Sequence, residues 1–264
     1  MLRDLFLQSP AFSFENNLFY QRNFPRPVRF ETLYLSLREK ENRIYTDELA
    51  KMLPDIPRPH PHRAEWQSRK ISWQNLSAYL ATKNDRPKIL ELGCGNGWLC
   101  HKLAALPGSE VVGMDINEQE LLQGARVFSD IGNICFAYGD IETALPASCS
   151  FDYIILSASI QYFRSPTRLF SKLLSLLAGN GEIHVIDSPI YSPKNGASAR
   201  MRSQRYFNDV GFPLMEEHYY HHTWDELAAF HPKILYDSDS LYKKIKRKFL
   251  PGSPFPWIKI TGSR

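Results

Sequence analysis

The stretch Ile89-Leu-Glu-Leu-Gly-Cys-Gly-Asn-Gly-Trp98 decides the fold. A short apolar run enters three alternating glycines. A helical pattern then runs over 99–106 until Pro107-Gly108 stops it. This is a strand–turn–helix unit. Glycine accepts positive φ and has no Cβ, so a ligand can approach the main chain closely. In open α/β sheets, ligands sit at the carboxyl ends of the strands. The helix start over 95–98 is expected to offer N–H groups to an anionic ligand group.

Outward from this turn, strand-like and helix-like segments alternate. Strands are predicted over 88–91, 111–115, 134–138, 151–156 and 182–187. Trp66, Ile71, Trp73, Leu76, Tyr79 and Leu80 recur at near-helical spacing ahead of the first strand. Asn117 is placed to cap a helix reaching Val127, and a helix over 166–177 stops at Gly179-Asn-Gly181. Beyond 188 the reading gives a helix over 198–210, strands over 217–223 and 256–261, and a helix over 241–250. Short apolar strands between amphipathic helices predict a parallel sheet covered on both faces. The predicted fold is α/β: a three-layer α/β/α sandwich with a mostly parallel seven-stranded sheet, the last strand antiparallel. Residues 1–62 read as an aromatic-rich extension with one helix over 46–53, expected to lid or flank the pocket. Prolines at 54, 57, 59 and 61 mark its boundary with the ligand-binding domain, 63–264.

The 264 residues are 43% hydrophobic and 23% charged, which excludes collagen-like and wholly disordered chains. A net charge of +4 is too small to argue by itself for nucleic acid. No apolar run approaches the ~20 residues of a membrane span, and Asp4 stands where a signal peptide carries positive charge. A cytoplasmic location is expected. Cys94, Cys100, Cys135 and Cys149 form no C-x-x-C pair and no zinc spacing, so buried thiols and no metal site are expected.

A dinucleotide site wants G-x-G-x-x-G, and its third glycine would fall at Trp98. The pattern here is G-x-G-x-G: Gly93, Gly95, Gly97, with Glu91 two residues ahead. This resembles the first motif of the class I S-adenosylmethionine-dependent methyltransferases, which are Rossmann-like. The resemblance covers about residues 63–190 well and identifies no subfamily. It implies a cofactor, S-adenosyl-L-methionine, leaving as S-adenosyl-L-homocysteine. Glu91, Gly93, Cys94, Gly95 and Gly97 would form its turn. Asp115, at the second strand tip, would accept the ribose hydroxyls, though a nicotinamide site also places an acid there. Asp140, after the third strand, would accept from the adenine amino group, with Ile116 and Ile141 sandwiching the ring; Asp140 could equally cap a short helix. Ser157 opens the loop after the fourth strand, which would line the donor–acceptor side. Arg69 is the candidate partner for the methionine carboxylate; its alternative is a solvated helix face. Ser157-Ala-Ser-Ile replaces the Asn-Pro-Pro-Tyr-like tetrapeptide of methyltransferases acting on planar nitrogens, which argues against an adenine or amide acceptor.

No catalytic residue is identified by motif. Imidazole titrates near neutrality and suits a base. In the predicted strand over 217–223, His218, Tyr220 and His222 would share one face, as an acid–base cluster or merely a sheet edge. Tyr162 is a third candidate, while His184 reads as a core histidine. Lys243-Lys-Ile-Lys-Arg-Lys248 is a basic run in an apolar frame, either a solvated helix face or an anion-binding one. The expected activity is methylation of a small-molecule acceptor, with nucleic acid not expected as a partner and the oligomeric state open. The alternatives are a non-catalytic S-adenosylmethionine-binding module, a nicotinamide-dependent oxidoreductase, and nucleic-acid methylation through the basic run.

Overall fold

The computed structural model describes residues 1–83, 85–143, 145–146, 148–238 and 252–262. The predicted basic helix over 241–250 lies outside the described residues.

Alternating strands and helices give the predicted layered α/β architecture. The parallel centre is β3 (Lys88–Leu92), β4 (Glu110–Asp115), β5 (Ile134–Tyr138), β6 (Phe151–Ser157) and β7 (Leu177–Ile186). It is flanked by β1 (Phe12–Glu15) and β2 (Leu18–Gln21) at one edge, and by β8 (Lys233–Tyr236) and β9 (Trp257–Thr261) at the other. The order is β1-β2-β5-β4-β3-β6-β7-β9-β8. Strand order reverses beside β3, with β4 on one side and β6 on the other. The glycine turn therefore sits at the switch point where such sheets open a crevice.

Both faces are covered, so the central strands are apolar throughout rather than alternating. One core packs Leu90, Leu92, Val112, Met114, Ile154 and Leu156 under α1 (Leu2–Gln8) and α7 (Pro166–Ser175). Leu169, Phe170 and Leu173 of α7 are fully buried there, each contributing roughly 1.5–3 kcal/mol. The other core packs Ile89, Val111, Ile134, Phe136 and Ile155 under α4 (Arg63–Leu80), α5 (Trp98–Ala104) and α6 (Glu118–Val127). His184 is buried in β7 and bonds Glu182 (3.2 Å) and Trp257 Nε1 (3.1 Å), as a core histidine does. Burial alone would push Glu182 up, but hydrogen bonds with His184, Lys259 and Tyr79 outweigh it and hold the carboxyl at about 2.

Three expectations are corrected. The sheet has nine strands rather than seven among the described residues, because the N-terminal extension enters it. Phe12-Ser-Phe-Glu and Leu18-Phe-Tyr-Gln form a hairpin through Asn16-Asn17, both at positive φ (51° and 59°). A two-residue turn of that kind matches strand twist, and β2 then pairs parallel to β5. The segment over 217–223 is no strand. A 3₁₀ turn fills Pro213–His218, and only Thr223 makes a bridge, to Tyr191. Tyr220 N–H bonds Gln161 O (2.7 Å) and His222 O accepts from Tyr191 (2.9 Å), so this backbone is consumed by loops. The antiparallel partner of β9 is β8 instead. Finally, β7 begins at Leu177, so Gly179-Asn-Gly181 lies within the strand rather than at a helix end.

The rest of the extension lies across the carboxyl ends of the strands. α3 (Asp47–Met52) docks on α6, while α2 (Val28–Lys40) buries Leu37 in an apolar cluster with Phe207 of α8 (Pro193–Val210) and Met215 of the 3₁₀ turn. Glu31 accepts the Glu118 N–H (2.6 Å) at the start of α6, and Asp47 holds Arg126 with two bonds (2.7 and 2.8 Å).

Candidate active site

The carboxyl ends of β3, β4, β5 and β6 open into one cavity of about 490 Å³. Its floor is the glycine turn. Gly93, Gly95 and Gly97 all have positive φ (74°, 52° and 75°), where a side chain would be strained. The three serve different ends. Gly93 and Gly95 line the cavity, whereas Gly97 does not. A Cβ on Gly97 would stand 2.5 Å from the Phe136 ring, so that glycine allows α5 to pack on the sheet. A Cβ on Gly95 would meet only the Glu120 carboxylate, at 3.4 Å, so the turn is open towards the cavity.

Asp115 ends β4 and faces this turn. Its Oδ2 accepts the Gly95 N–H (2.8 Å) and its Oδ1 the Asn117 N–H (2.9 Å). Burial pushes its carboxyl up, against the pull of those backbone N–H groups. Ile116, Asp140 and Ile141 all line the cavity. Gln21 of β2 accepts the Asp140 N–H (2.8 Å), and Asp140 Oδ1 accepts the Glu142 N–H (2.9 Å). The N-terminal hairpin thus orients Asp140, and half of its carboxylate does the local capping that the sequence allowed. Ser157 lines the wall with a buried Oγ that has no hydrogen-bond partner among the described residues. Such an orphaned buried hydroxyl is costly and fits a polar ligand there.

Glu91 and Cys94 also border the cavity. Glu91 is buried, its Oε2 accepting from the Cys100 thiol (2.9 Å), and burial pushes its carboxyl up to about 8. Arg69 lines the cavity from α4, over the Trp66 ring at 5.0 Å and bonded to Glu65 (3.0 Å). It is a wall residue rather than a solvated one. The helix start contributes less than expected to anion binding. The Gly95 N–H goes to Asp115, the Gly97 N–H to Cys94 O (3.0 Å) and the Trp98 N–H to Asn96 Oδ1 (3.4 Å).

The catalytic candidates separate. Tyr162 lines the cavity, in a 3₁₀ turn (Ile160–Tyr162) after β6, and burial pushes its phenol up, away from phenolate chemistry near neutrality. His218 packs on Phe30 (4.8 Å between rings) and His222 is buried against Ile160 O (3.1 Å). Neither histidine borders the cavity, and they share no strand face. No group of His, Cys, Asp and Glu among the described residues is arranged to hold a metal.

Sequence reasoning missed most of the opposite wall. Phe30, Tyr34 and Arg38 of α2, Arg43 and Tyr45 from the following loop, and Glu120 of α6 all border the cavity. Burial pushes Glu120 up to about 7, against the pull of Arg38 and Arg69. The i, i+4 spacing of Phe30, Tyr34 and Arg38 on one helix was the available signal. Among the described residues, no helix is long and apolar enough to cross a membrane.

A family model described as "Methyltransferase domain" matches residues 83–245, more than half of the chain. The malonyl-[acyl-carrier protein] O-methyltransferase of Halalkalibacterium halodurans is 33% identical over 102 residues, 37% of this chain and 38% of that protein. The tRNA U34 carboxymethyltransferase of Haemophilus ducreyi is 31% identical over 153 residues, 55% of this chain and 46% of that protein. The matches thus span less than half the length of these curated relatives. Among solved structures, magnesium protoporphyrin IX methyltransferase from Synechocystis PCC 6803, with bound S-adenosylhomocysteine, superposes with a TM-score of 0.59 at 14% identity. That superposition covers 90% of this chain and all of the other. The layered sheet, the glycine turn at its switch point and the matched family model agree, and the chain belongs to the class I S-adenosylmethionine-dependent methyltransferases.

Proposed function

We propose that the protein methylates a small-molecule acceptor inside the cavity between the strand tips and the N-terminal cap. The observation that carries this reading is the cavity itself. Of about 490 Å³, it joins the glycine turn, Asp115 and Asp140 to an aromatic wall from α2 under one cover. That volume lies in the range of small-ligand sites, roughly 300–1,000 Å³.

When bound, S-adenosylmethionine supplies an electrophilic methyl group on a sulfonium. The chain's own residues then bind, orient and exclude water. Asp115 keeps lone pairs for two ribose hydroxyls, its orientation fixed by Gly95 and Asn117. Asp140 Oδ2 takes an adenine amino group between Ile116 and Ile141. Arg69 takes the methionine carboxylate, and Ser157 finds its missing partner on the ligand. Glu91 and Cys94 back the turn from below. Residues 1–62 complete the domain of 63–264: the hairpin orients Asp140, and α2 serves as the lid that keeps water out. Holding donor and acceptor in line can supply up to ~7–11 kcal/mol of the barrier.

Calorimetric titration with S-adenosylhomocysteine tests the donor side. Wild type is expected to bind, and Asp115→Ala to bind about 10- to 100-fold more weakly, the size of lost bonds to a charged group. Equal affinity in both would remove Asp115 from the site. A tRNA-modifying reading has one supporting observation, the similarity to a carboxymethyltransferase of tRNA. Steep salt-dependent binding of tRNA would favour it.

A further inference from the structure

Arginines and carboxylates meet along one stretch of the cavity wall. Five arginines border the cavity, Arg164 and Arg168 beside Arg38, Arg43 and Arg69, and the last three are linked through shared carboxylates. Two carboxylates pair with them, Glu41 and Glu65. Glu65 is committed twice, to Arg43 (2.7 Å) and Arg69 (3.0 Å). Glu41 is also shared, holding Arg43 (3.1 Å), the Tyr206 hydroxyl and Arg38. Its contact with Arg38 is the longest, 3.4 Å, and Arg38 otherwise donates only to the neutral Tyr34 hydroxyl (3.0 Å). Glu120 also borders the cavity; burial pushes it up to about 7 against the pull of Arg38, so near neutral pH it is partly ionised. Of the three, Arg38 has the longest carboxylate contact. Its side chain is only 23% exposed, so water compensates it poorly.

The surroundings of Arg38 are aromatic. Tyr162 meets Tyr34 edge-on (5.7 Å between rings) and Phe30 at 6.3 Å. Tyr162 also belongs to the loop whose Ser159 packs against Gly93 of the glycine turn. The aromatic slot thus adjoins the donor end, with a guanidinium on its far wall. A planar group fits among the rings, and a carboxylate fits the two-pronged face of an arginine.

The geometry points to an acceptor that is a carboxylic acid with a planar, unsaturated or aromatic body, its carboxylate anchored by Arg38 between Phe30, Tyr34 and Tyr162. The inference rests on the reading of the cavity as a methyltransferase site. Arg69 and Arg38 divide the work: the first meets the donor's carboxylate, the second the acceptor's.

The test titrates the full chain, saturated with S-adenosylhomocysteine, with 4-hydroxybenzoate and trans-cinnamate and with the amide of each. The acids are expected to bind at least about tenfold more tightly than the amides. Arg38→Gln should abolish that preference while leaving S-adenosylhomocysteine affinity within about twofold, which also reports that the variant is folded. Arg38→Lys should retain part of the preference. Amides binding as well as acids, neither acid binding at millimolar concentration, or an acid preference that survives in Arg38→Gln would each overturn the inference. So would a large loss of S-adenosylhomocysteine affinity in a folded Arg38→Gln, which would move Arg38 to the donor. Failure of wild type to bind S-adenosylhomocysteine at all would instead sink the parent reading.

Discussion

The two ends of the cavity are built in different ways. The donor end is made of main chain: strand tips, a glycine turn, and carboxylates held by backbone N–H groups such as those of Gly95 and Asn117. The cap end is made of long side chains from α2 and its neighbours, joined by ion pairs such as Arg26–Glu118 and Asp47–Arg126. Strand tips buried on both faces have no alternative position, because interiors are close-packed. The cap has its own apolar cluster, Leu37 with Phe207 and Met215, which is small beside the two cores that cover the sheet, and the exposed ion pairs around it contribute about 0–1 kcal/mol each.

That contrast can be broken by substitution. The largest stability effect is expected from Gly97→Ala. Positive φ and a Cβ 2.5 Å from Phe136 should cost about 2–4 kcal/mol, read as a lowered denaturation midpoint. A near-neutral result would mean that the turn is not rigid.

The next effect is pH-dependent. Glu91 titrates at about 8 in the folded chain against an ordinary 4.5. Its folded form holds a proton that the unfolded form has lost between those values. Its contribution to stability is therefore fully present below pH 4.5 and is lost as pH rises through about 8. Glu91→Gln keeps an acceptor for Cys100 and removes the titration. Its Tm should exceed that of wild type by several degrees above pH 8, and the gap should close below pH 4.5. A gap independent of pH would place the ionised form of Glu91 in the native state.

The smallest effect is expected at the cap. Asp47→Ala removes the Arg126 pair on an exposed edge. Its Tm should stay within a few degrees of wild type, with no change in S-adenosylhomocysteine affinity. A collapse of either would show the cap to be part of the rigid core.

The donor end was legible because its signals are local. Glu91 to Gly97 is a single turn, and Asp115 and Asp140 end apolar runs that read as strands. The cap end was hidden because its partners lie far apart in the chain. Glu31 meets Glu118, Tyr34 meets Tyr162, and Tyr206 meets Glu41. No periodicity carries such pairings. The hairpin of β1 and β2 stands between these cases. Its residues read only as part of an irregular aromatic-rich extension, although Asn16-Asn17 between alternating aromatics is a local turn signal, and its parallel docking on β5 left no local trace. The segment over 217–223 misled because alternation of aromatic and histidine residues fits a strand, and what was lacking was a neighbouring edge to pair with.

Residue order alone dictated the layered fold, the switch-point turn and the carboxylates that end the neighbouring strands beside it. These follow from residue period and from the conformational freedom of glycine, which act over a few residues. Only the tertiary structure decided that the N-terminal extension both extends the sheet and roofs the cavity. It also decided that Arg38 borders the cavity beside Phe30, Tyr34 and Tyr162, and that His218 and His222 do not border it. The physical reason is that burial and charge balance are sums over everything brought near a group, and most of those neighbours arrive from distant parts of the chain.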